Sequence, residues 1–97
     1  MPNYVALVNF TQQGIYNFKD SPSRADAAAE QLEKMGGKLK DVYWTLGAYD
    51  IVIVMEAPDD ETVTAFALGL GALGNVRTQT LRAFSADEMR AVIAKSD

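Results

Sequence analysis

The sequence contains no cysteine and no histidine. Their absence excludes disulfides, zinc fingers, thiolate nucleophiles, imidazole bases and proximal haem histidines, so most familiar catalytic arrangements cannot be assembled. Three neighbouring acids, Asp59, Asp60 and Glu61, could in principle hold a hard cation. They are more typical of the first turn of a helix, whose dipole they complement. We therefore expect no cofactor and no metal site.

Positive charge is also scarce, with nine basic side chains against thirteen acidic ones and a net charge of -4. Such a chain has no positive field to attract a polyanion, so neither nucleic acid nor an anionic membrane is expected as a partner. No apolar run approaches the roughly twenty residues that span a bilayer. The first residues, "MPNYVALVNF", also lack the basic start and small-residue cleavage site of a signal peptide. We expect a cytoplasmic protein.

The composition is otherwise that of an ordinary globular protein, with 48% apolar and 23% charged residues and no low-complexity segment. A chain of 97 residues suits one small hydrophobic core. We expect residues 1–97 to form a single domain.

Four stretches read as β-strands because they are rich in β-branched and aromatic residues or alternate between apolar and polar ones. They cover residues 3–11, 38–46, 50–57 and 75–84. The polar connection after the first strand contains glycine and is expected to be a loop.

Three helices are predicted between and after these strands. Ser21 is expected to cap the first, with Pro22 at its first helical position, and Gly36-Gly37 to end it after Met35. Asp59 is expected to cap the second, which closes at Gly74. Two glycines inside this helix, Gly69 and Gly71, suggest the close approach of another backbone. Ser85 and Glu88 form the capping box of a short third helix.

The order β-α-β-β-α-β, with an extra C-terminal helix, predicts the ferredoxin-like arrangement of the α+β class. Right-handed crossovers then give a four-stranded antiparallel sheet with both main helices on one face. The first and third strands are expected at its centre.

The register of the central hairpin follows if Gly47-Ala48 forms a two-residue type II′ turn. Thr45 then faces Asp50, and Leu46 faces Tyr49. Directly opposed residues share a side of the sheet. The helix-covered side is expected to carry Val42, Trp44, Leu46, Tyr49, Ile51, Ile53 and Met55, and the other side Leu39, Asp41, Tyr43, Thr45, Asp50, Val52, Val54 and Glu56.

The second side of the predicted sheet has an apolar centre with no helix left to cover it. Exposed apolar patches of this kind usually mark interaction surfaces. We expect two protomers to pack sheet against sheet and enclose a barrel-like interior, because small domains commonly gain burial by two-fold association. The expected partner is the chain itself, as a homodimer or higher oligomer.

The residues also carry a family pattern in "YWTLGAYDIVIVMEAPDDETVTAFALGLGALGNVRTQTLRAF" and in the preceding "GIYNFKDSPSRADAA". The pattern includes Gly47, Tyr49 and Asp50, and it ends at the segment 81–84. In these features the chain resembles the GYD domain family, named for its Gly-Tyr-Asp signature. The resemblance implies a dimeric α+β barrel. The wider superfamily includes cofactor-free monooxygenases, isomerases, haem-dependent enzymes and ligand-sensing domains, so it does not imply one chemistry.

The candidate site centres on Asp50, a carboxylate at the head of an apolar strand. One interpretation is structural: Asp50 accepts hydrogen bonds from Thr45, turn amides or an arginine. The other is functional: Asp50 is an acid or base in a cavity, with Tyr43 as the second weak catalytic candidate. The residues predicted to bind a small organic ligand are Asp50, Thr45, Tyr43, Asn9 and Arg82.

Other groups available to an enzyme are Tyr49, Tyr16, Lys19 and Arg77. Arg77 and Arg82 should lie on opposite faces of the fourth strand, so they cannot both share a cavity with Asp50. Lys19 and Arg24 could hold an anion near the start of the first helix, although solvated loop charges explain them as well.

Two functions remain open from the sequence. The first is a homo-oligomeric module that binds a small molecule or serves a structural role. The alternative is a small cofactor-independent enzyme, of the isomerase or monooxygenase type, that uses Asp50 and tyrosines. Many enzymatic members of the superfamily depend on a histidine, and this chain has none.

Overall fold

A computed structural model describes all residues from Met1 to Asp97. The strands are β1 (Asn3–Phe10), β2 (Lys38–Trp44), β3 (Ile51–Glu56) and β4 (Val76–Ala83); the helices are α1 (Gln12–Tyr16), α2 (Ser21–Lys34), α3 (Asp60–Ala72) and α4 (Ala86–Ala94). A short 3-10 turn, Phe18–Asp20, joins α1 to α2. None of the helices is long and apolar enough to cross a membrane.

The four strands form one sheet in the order β2-β3-β1-β4, and every neighbouring pair is antiparallel. This confirms the predicted ferredoxin-like α+β arrangement with the first and third strands at the centre. The molecule measures 50 × 31 × 18 Å. The shortest dimension fits two layers, one of sheet and one of helices.

The core lies between the sheet and the two main helices. From the sheet it takes alternate residues of the central strands, including Tyr4, Ala6 and Val8 of β1. Helices α2 and α3 contribute Ala28, Leu32, Val63 and Phe66 to the same cluster. Both main helices therefore cover one face of the sheet, as predicted.

Helix α2 begins differently from the prediction. Ser21 is its first residue rather than its N-cap, and Asp20 occupies the cap position without a side-chain hydrogen bond. The Ser21 side chain is instead buried, and its Oγ accepts a hydrogen bond of 2.9 Å from Trp44 Nε1. The Ser21 hydroxyl, which was predicted to cap the helix, is therefore bonded to the indole of Trp44 in β2.

The pairing of β2 with β3 contains a register shift between Leu39 and Asp41. Beyond it, Leu39 pairs with Met55 and packs against the core. The prediction that Leu39 lies on the uncovered side is therefore wrong. An extra residue in a strand moves every following side chain to the other face of the sheet. Lys40 is that extra residue in β2.

The hairpin register is right from Val42–Ile53 through Trp44–Ile51, and the predicted Thr45–Asp50 pair keeps only one hydrogen bond. This bond runs from Thr45 N to Asp50 O at 2.9 Å, but the Asp50 amide donates to Val8 O of β1. A four-residue connection, 46–49, replaces the predicted two-residue turn, although Gly47 does adopt a positive φ of 101°. Leu46 is fully exposed, not in the core, and Trp44 is 45% exposed. Tyr49 was predicted on the helix-covered side, which is wrong, because its hydroxyl bonds to Gln79 on the uncovered side.

The connection after β1 contains a helix that the sequence did not reveal. Thr11 caps α1 by accepting a bond from the Gly14 amide. A Cβ on Gly14 would lie 1.9 Å from the carbonyl oxygen of Asn75. Only glycine allows α1 to pack this closely against the start of β4.

The prediction that another backbone approaches the glycines of α3 is wrong. No atom lies within 4 Å of where a Cβ would stand on Gly69 or Gly71, so no backbone approaches them in the protomer. The predicted N-cap is confirmed, since Asp59 Oδ1 accepts a bond of 2.8 Å from the Thr62 amide.

Helix α4 carries the predicted capping box, with reciprocal bonds between Ser85 and Glu88. None of its residues is buried. Its apolar side, Met89, Val92 and Ile93, is between 42% and 55% exposed.

Candidate functional site

The face of the sheet that the helices leave uncovered, here called the open face, has an apolar centre. Strand pairing places Val5 beside Val54 and Leu81, and Leu7 beside Val52. The valines and Leu7 are half-buried by their neighbours, whereas Leu81 is 43% exposed and Tyr43, opposite Val52, is 58% exposed. These six side chains form a continuous apolar surface across all four strands.

Polar side chains surround the centre of the open face. Arg77 pairs with Asn9 at one end of β1, and Asp41 pairs with Val54 on the opposite edge of the sheet. Tyr49 Oη donates to Gln79 Oε1 at 3.2 Å. An apolar centre with a polar rim of both charge signs is the usual anatomy of a protein interface.

Asp50 immediately precedes β3, and its side chain bonds to the neighbouring strand β1. Its Oδ2 accepts a hydrogen bond of 2.8 Å from the Phe10 amide, and its own amide bonds to Val8. The carboxylate thus holds the end of β1 against β3. This is the structural role that the sequence suggested, with a partner more distant in sequence than expected.

Two other predicted site residues stabilise the same connection. Asn9 Nδ2 donates to the Ala48 carbonyl at 2.8 Å, and Thr45 Oγ1 donates to the Tyr49 carbonyl at 2.7 Å. Asn9, Thr45 and Asp50 therefore meet at one end of the sheet, where each bonds to backbone. Whether they also bind a ligand stays a prediction.

Arg82 lies apart from this group. It pairs with Tyr4 near the start of β1, whereas Asp50 lies near the end of that strand. Its guanidinium carbon lies 4.4 Å from the centre of the Phe84 ring. Its Nη2 forms an ion pair with Glu88 Oε2 at 3.7 Å. Arg77 and Arg82 occupy opposite faces of β4 as predicted, because neighbouring strand residues alternate.

The candidate side chains in the connection after β1 and at the start of α2 do not form a common site. Tyr16 is 86% exposed, and Lys19 is also exposed. Arg24 Nη1 donates to the Asn17 carbonyl at 3.1 Å.

A polar cluster on the helix-covered face was missed by sequence reasoning. Tyr4 is 2% exposed, and its Oη donates to Asp60 Oδ1 at 2.5 Å. Burial, strengthened by this hydrogen bond, raises the pKa of Tyr4 to about 12. Thr78, Thr80 and Arg82 line the same cleft between α3 and β4. Only the polar alternation of β4 could have indicated it.

Two acids at helix starts, Asp59 and Glu88, are held in their charged form. Hydrogen bonds from the side chain and amide of Thr62 lower the pKa of Asp59. The Ser85 amide, followed by the Asn3 side chain, lowers the pKa of Glu88. Both groups serve as caps, so these shifts indicate structure rather than catalysis.

The sequence matches the GYD domain over residues 4–93. The chain belongs to the GYD domain family. The three signature residues of this family now have structural roles: Gly47 supplies the positive φ of the hairpin connection, Tyr49 bonds across the sheet to Gln79, and Asp50 ties the connection to β1.

A curated relative of this GYD protein comes from Thermus thermophilus and is named glutamine synthetase and cystathionine beta-lyase binding protein. It is 36% identical over 84 residues, which cover 86% of this chain and 88% of the relative.

Two solved structures share the fold. The crystal structure of TTHA0845, also from Thermus thermophilus, has a TM-score of 0.56 and 26% identity, covering 89% of this chain and 96% of that one. The crystal structure of MtbAldR (Rv2779c) has a TM-score of 0.60 at 19% identity, covering 87% of this chain. The GYD chain spans only about half, 52%, of MtbAldR, and the likeness concerns the fold alone.

Proposed function

We propose that this GYD protein is a homo-oligomeric protein-binding module that associates with itself through the open face. The observation that carries the proposal is the apolar centre of that face, which no helix of the chain covers. Only 14 of 97 residues are buried in the protomer, and fourteen large apolar side chains are at least 42% exposed. Burial between copies would supply part of the missing core.

The charges on the open face suit pairing of two identical surfaces. Asp41 lies on β2 at one edge of the sheet, and Arg77 lies on β4 at the other. A two-fold axis that runs between the two faces, parallel to the strands, can place the acidic edge of one copy near the basic edge of the other. Such an arrangement is the dimeric α+β barrel implied by the family resemblance.

The partner beyond the chain itself is proposed to be a metabolic enzyme. The Thermus relative is named for binding glutamine synthetase and cystathionine beta-lyase, and it aligns with 86% of this chain. The proposal needs a surface that remains free after the open faces pair. Four exposed apolar residues lie beyond the end of the sheet where β1 stops: Ile15 and Tyr16 in α1, Phe18 in the 3-10 turn and Leu46 in the β2–β3 connection. We call this set the apolar end.

The enzyme interaction can be tested by immobilising the protein and titrating purified glutamine synthetase and cystathionine beta-lyase in turn. We expect saturable binding of at least one enzyme, and a loss of about tenfold or more on Leu46→Ser, since an exposed apolar anchor contributes most when a partner buries it. Leu68→Ser is the matched control, because Leu68 is 70% exposed on α3, away from the apolar end. Absence of binding to both enzymes would contradict the proposed partner.

The alternative, a cofactor-independent enzyme based on Asp50 and tyrosines, has no supporting observation here. Asp50 is engaged by the Phe10 amide. The tyrosine with the strongly shifted pKa is Tyr4, which stays neutral far above physiological pH. The small-molecule ligand of the Asp50 group and the cytoplasmic location stay predictions.

A further inference from the structure

Arg24 of α2 carries an unsatisfied nitrogen at the edge of an apolar cavity. Its Nη1 bonds to the Asn17 carbonyl, but its Nη2 is buried and has no hydrogen-bond partner. No carboxylate lies within 4 Å, although the chain has thirteen acidic side chains. Buried polar groups are nearly always paired, so an orphaned guanidinium nitrogen calls for a partner from outside the chain.

The cavity beside Arg24 lies between α2, α3 and the sheet. It measures about 60 Å³. Ten of its thirteen lining residues are hydrophobic, among them Val8, Ile51 and Ile53 from the two central strands. A volume of this size is well below the roughly 300 Å³ at which pockets for drug-sized ligands begin, so it suits only a short aliphatic chain.

A groove on the outer side of the same helices continues the cavity. It runs between α2 and α3, and the two spaces share Arg24, Ala28, Leu70 and Leu73. The groove measures about 390 Å³. Arg24 therefore stands where an opening to the surface meets the apolar interior.

We propose that this space binds a short aliphatic monocarboxylate, with the carboxylate on Arg24 and the tail against the core face of the sheet. A guanidinium presents parallel N–H groups that match the two oxygens of a carboxylate. The apolar lining matches a hydrocarbon tail and offers nothing to a second charge. This site lies inside one protomer, on the helix-covered side of the sheet and therefore opposite the open face.

The fluorescence of Trp44, the single tryptophan, can report binding of a ligand in the cavity. Trp44 Nε1 donates to Ser21 Oγ, and Ser21 lines the cavity. Filling the cavity should therefore change the fluorescence of Trp44. Sodium pentanoate is the probe, with sodium chloride at equal concentration to hold the ionic strength constant.

We expect pentanoate to give a saturable change in Trp44 fluorescence and to raise the midpoint of thermal unfolding. The uncharged analogue 1-pentanol should bind about tenfold more weakly or worse, because its single neutral hydroxyl replaces the charged, two-oxygen acceptor of the carboxylate. Arg24→Gln should weaken pentanoate binding by about tenfold or more. Arg90→Gln, which removes an exposed arginine from α4, should leave binding unchanged.

Three results would overturn the proposal. One is the absence of saturable binding by the wild type, which would leave water as the partner of Arg24. Another is equal affinity of the wild type and Arg24→Gln for pentanoate. The third is binding of 1-pentanol as tight as that of pentanoate, which would show that the Arg24 guanidinium does not recognise the carboxylate.

Discussion

At the scale of single residues, Asp50 shows what the sequence could and could not predict. A carboxylate heading an apolar strand indicated a hydrogen-bonded structural role, and the structure provides one. The partner was expected among Thr45, the turn amides or an arginine, yet it is the Phe10 amide, forty residues away. Local register could not identify it, since the pairing of β1 with β3 joins segments that are distant in sequence.

Replacing Asp50 tests this role. Asp50→Ala should lower the free energy of unfolding by about 1–3 kcal/mol, because the half-buried Phe10 amide loses its acceptor. Asp50→Asn should cost less, since an amide oxygen can still accept the bond. Chemical denaturation of both variants, with Asp26→Asn on the exposed side of α2 as control, measures the difference. Equal stability of Asp50→Ala and wild type would contradict the assignment.

Tyr4 is the residue whose ionisation should limit stability at high pH. Its pKa is about 12 in the folded protein against 10.0 ordinarily, so the fold favours the protonated phenol. This contribution is complete below pH 10 and is lost as pH rises towards 12, with a total on the order of 2 kcal/mol. Urea denaturation between pH 8 and 11.5 should show stability falling above pH 10. In Tyr4→Phe the fall should be smaller, and the ultraviolet titration should lack its step near pH 12.

At the scale of secondary-structure elements, periodicity and caps predicted the long elements and missed the short ones. The strands, α2 and α3 have clear patterns, and the capping box of α4 was visible in Ser85 and Glu88. Helix α1 has five residues, too few for a helical period to show. The bulge at Lys40 left no local signal, which is why Leu39 was assigned to the wrong face.

Two glycine substitutions test the packing of α1 and α3 with opposite signs. Gly14→Ala should destabilise the protein by more than about 2 kcal/mol, since the new Cβ would overlap the Asn75 carbonyl. Gly71→Ala should stabilise it by about 0.5–1 kcal/mol, because a helix position with open space gains from a better helix former. Thermal unfolding of the two variants compares them directly. A stabilising Gly14→Ala would contradict the packing of α1 on β4.

At the scale of the whole molecule, the protomer is a two-layer fold whose sheet is covered on one side only. The helices cover one face of the sheet, and the open face together with the apolar side of α4 remains in solvent. The sequence predicted this imbalance from the count of main helices alone. It could not predict the scattering of the proposed ligand residues, because Arg82 and Asp50 are placed by strand length at opposite ends of β1.

The most direct test of self-association is the molar mass in solution, measured by size-exclusion chromatography with light scattering at micromolar concentration. We predict at least twice the 10.6 kDa of the chain for wild type and for Leu68→Arg, whose substitution lies on α3. Leu81→Arg places a charge in the apolar centre of the open face and should shift the protein towards the monomer. A wild-type mass of 10.6 kDa would contradict the account.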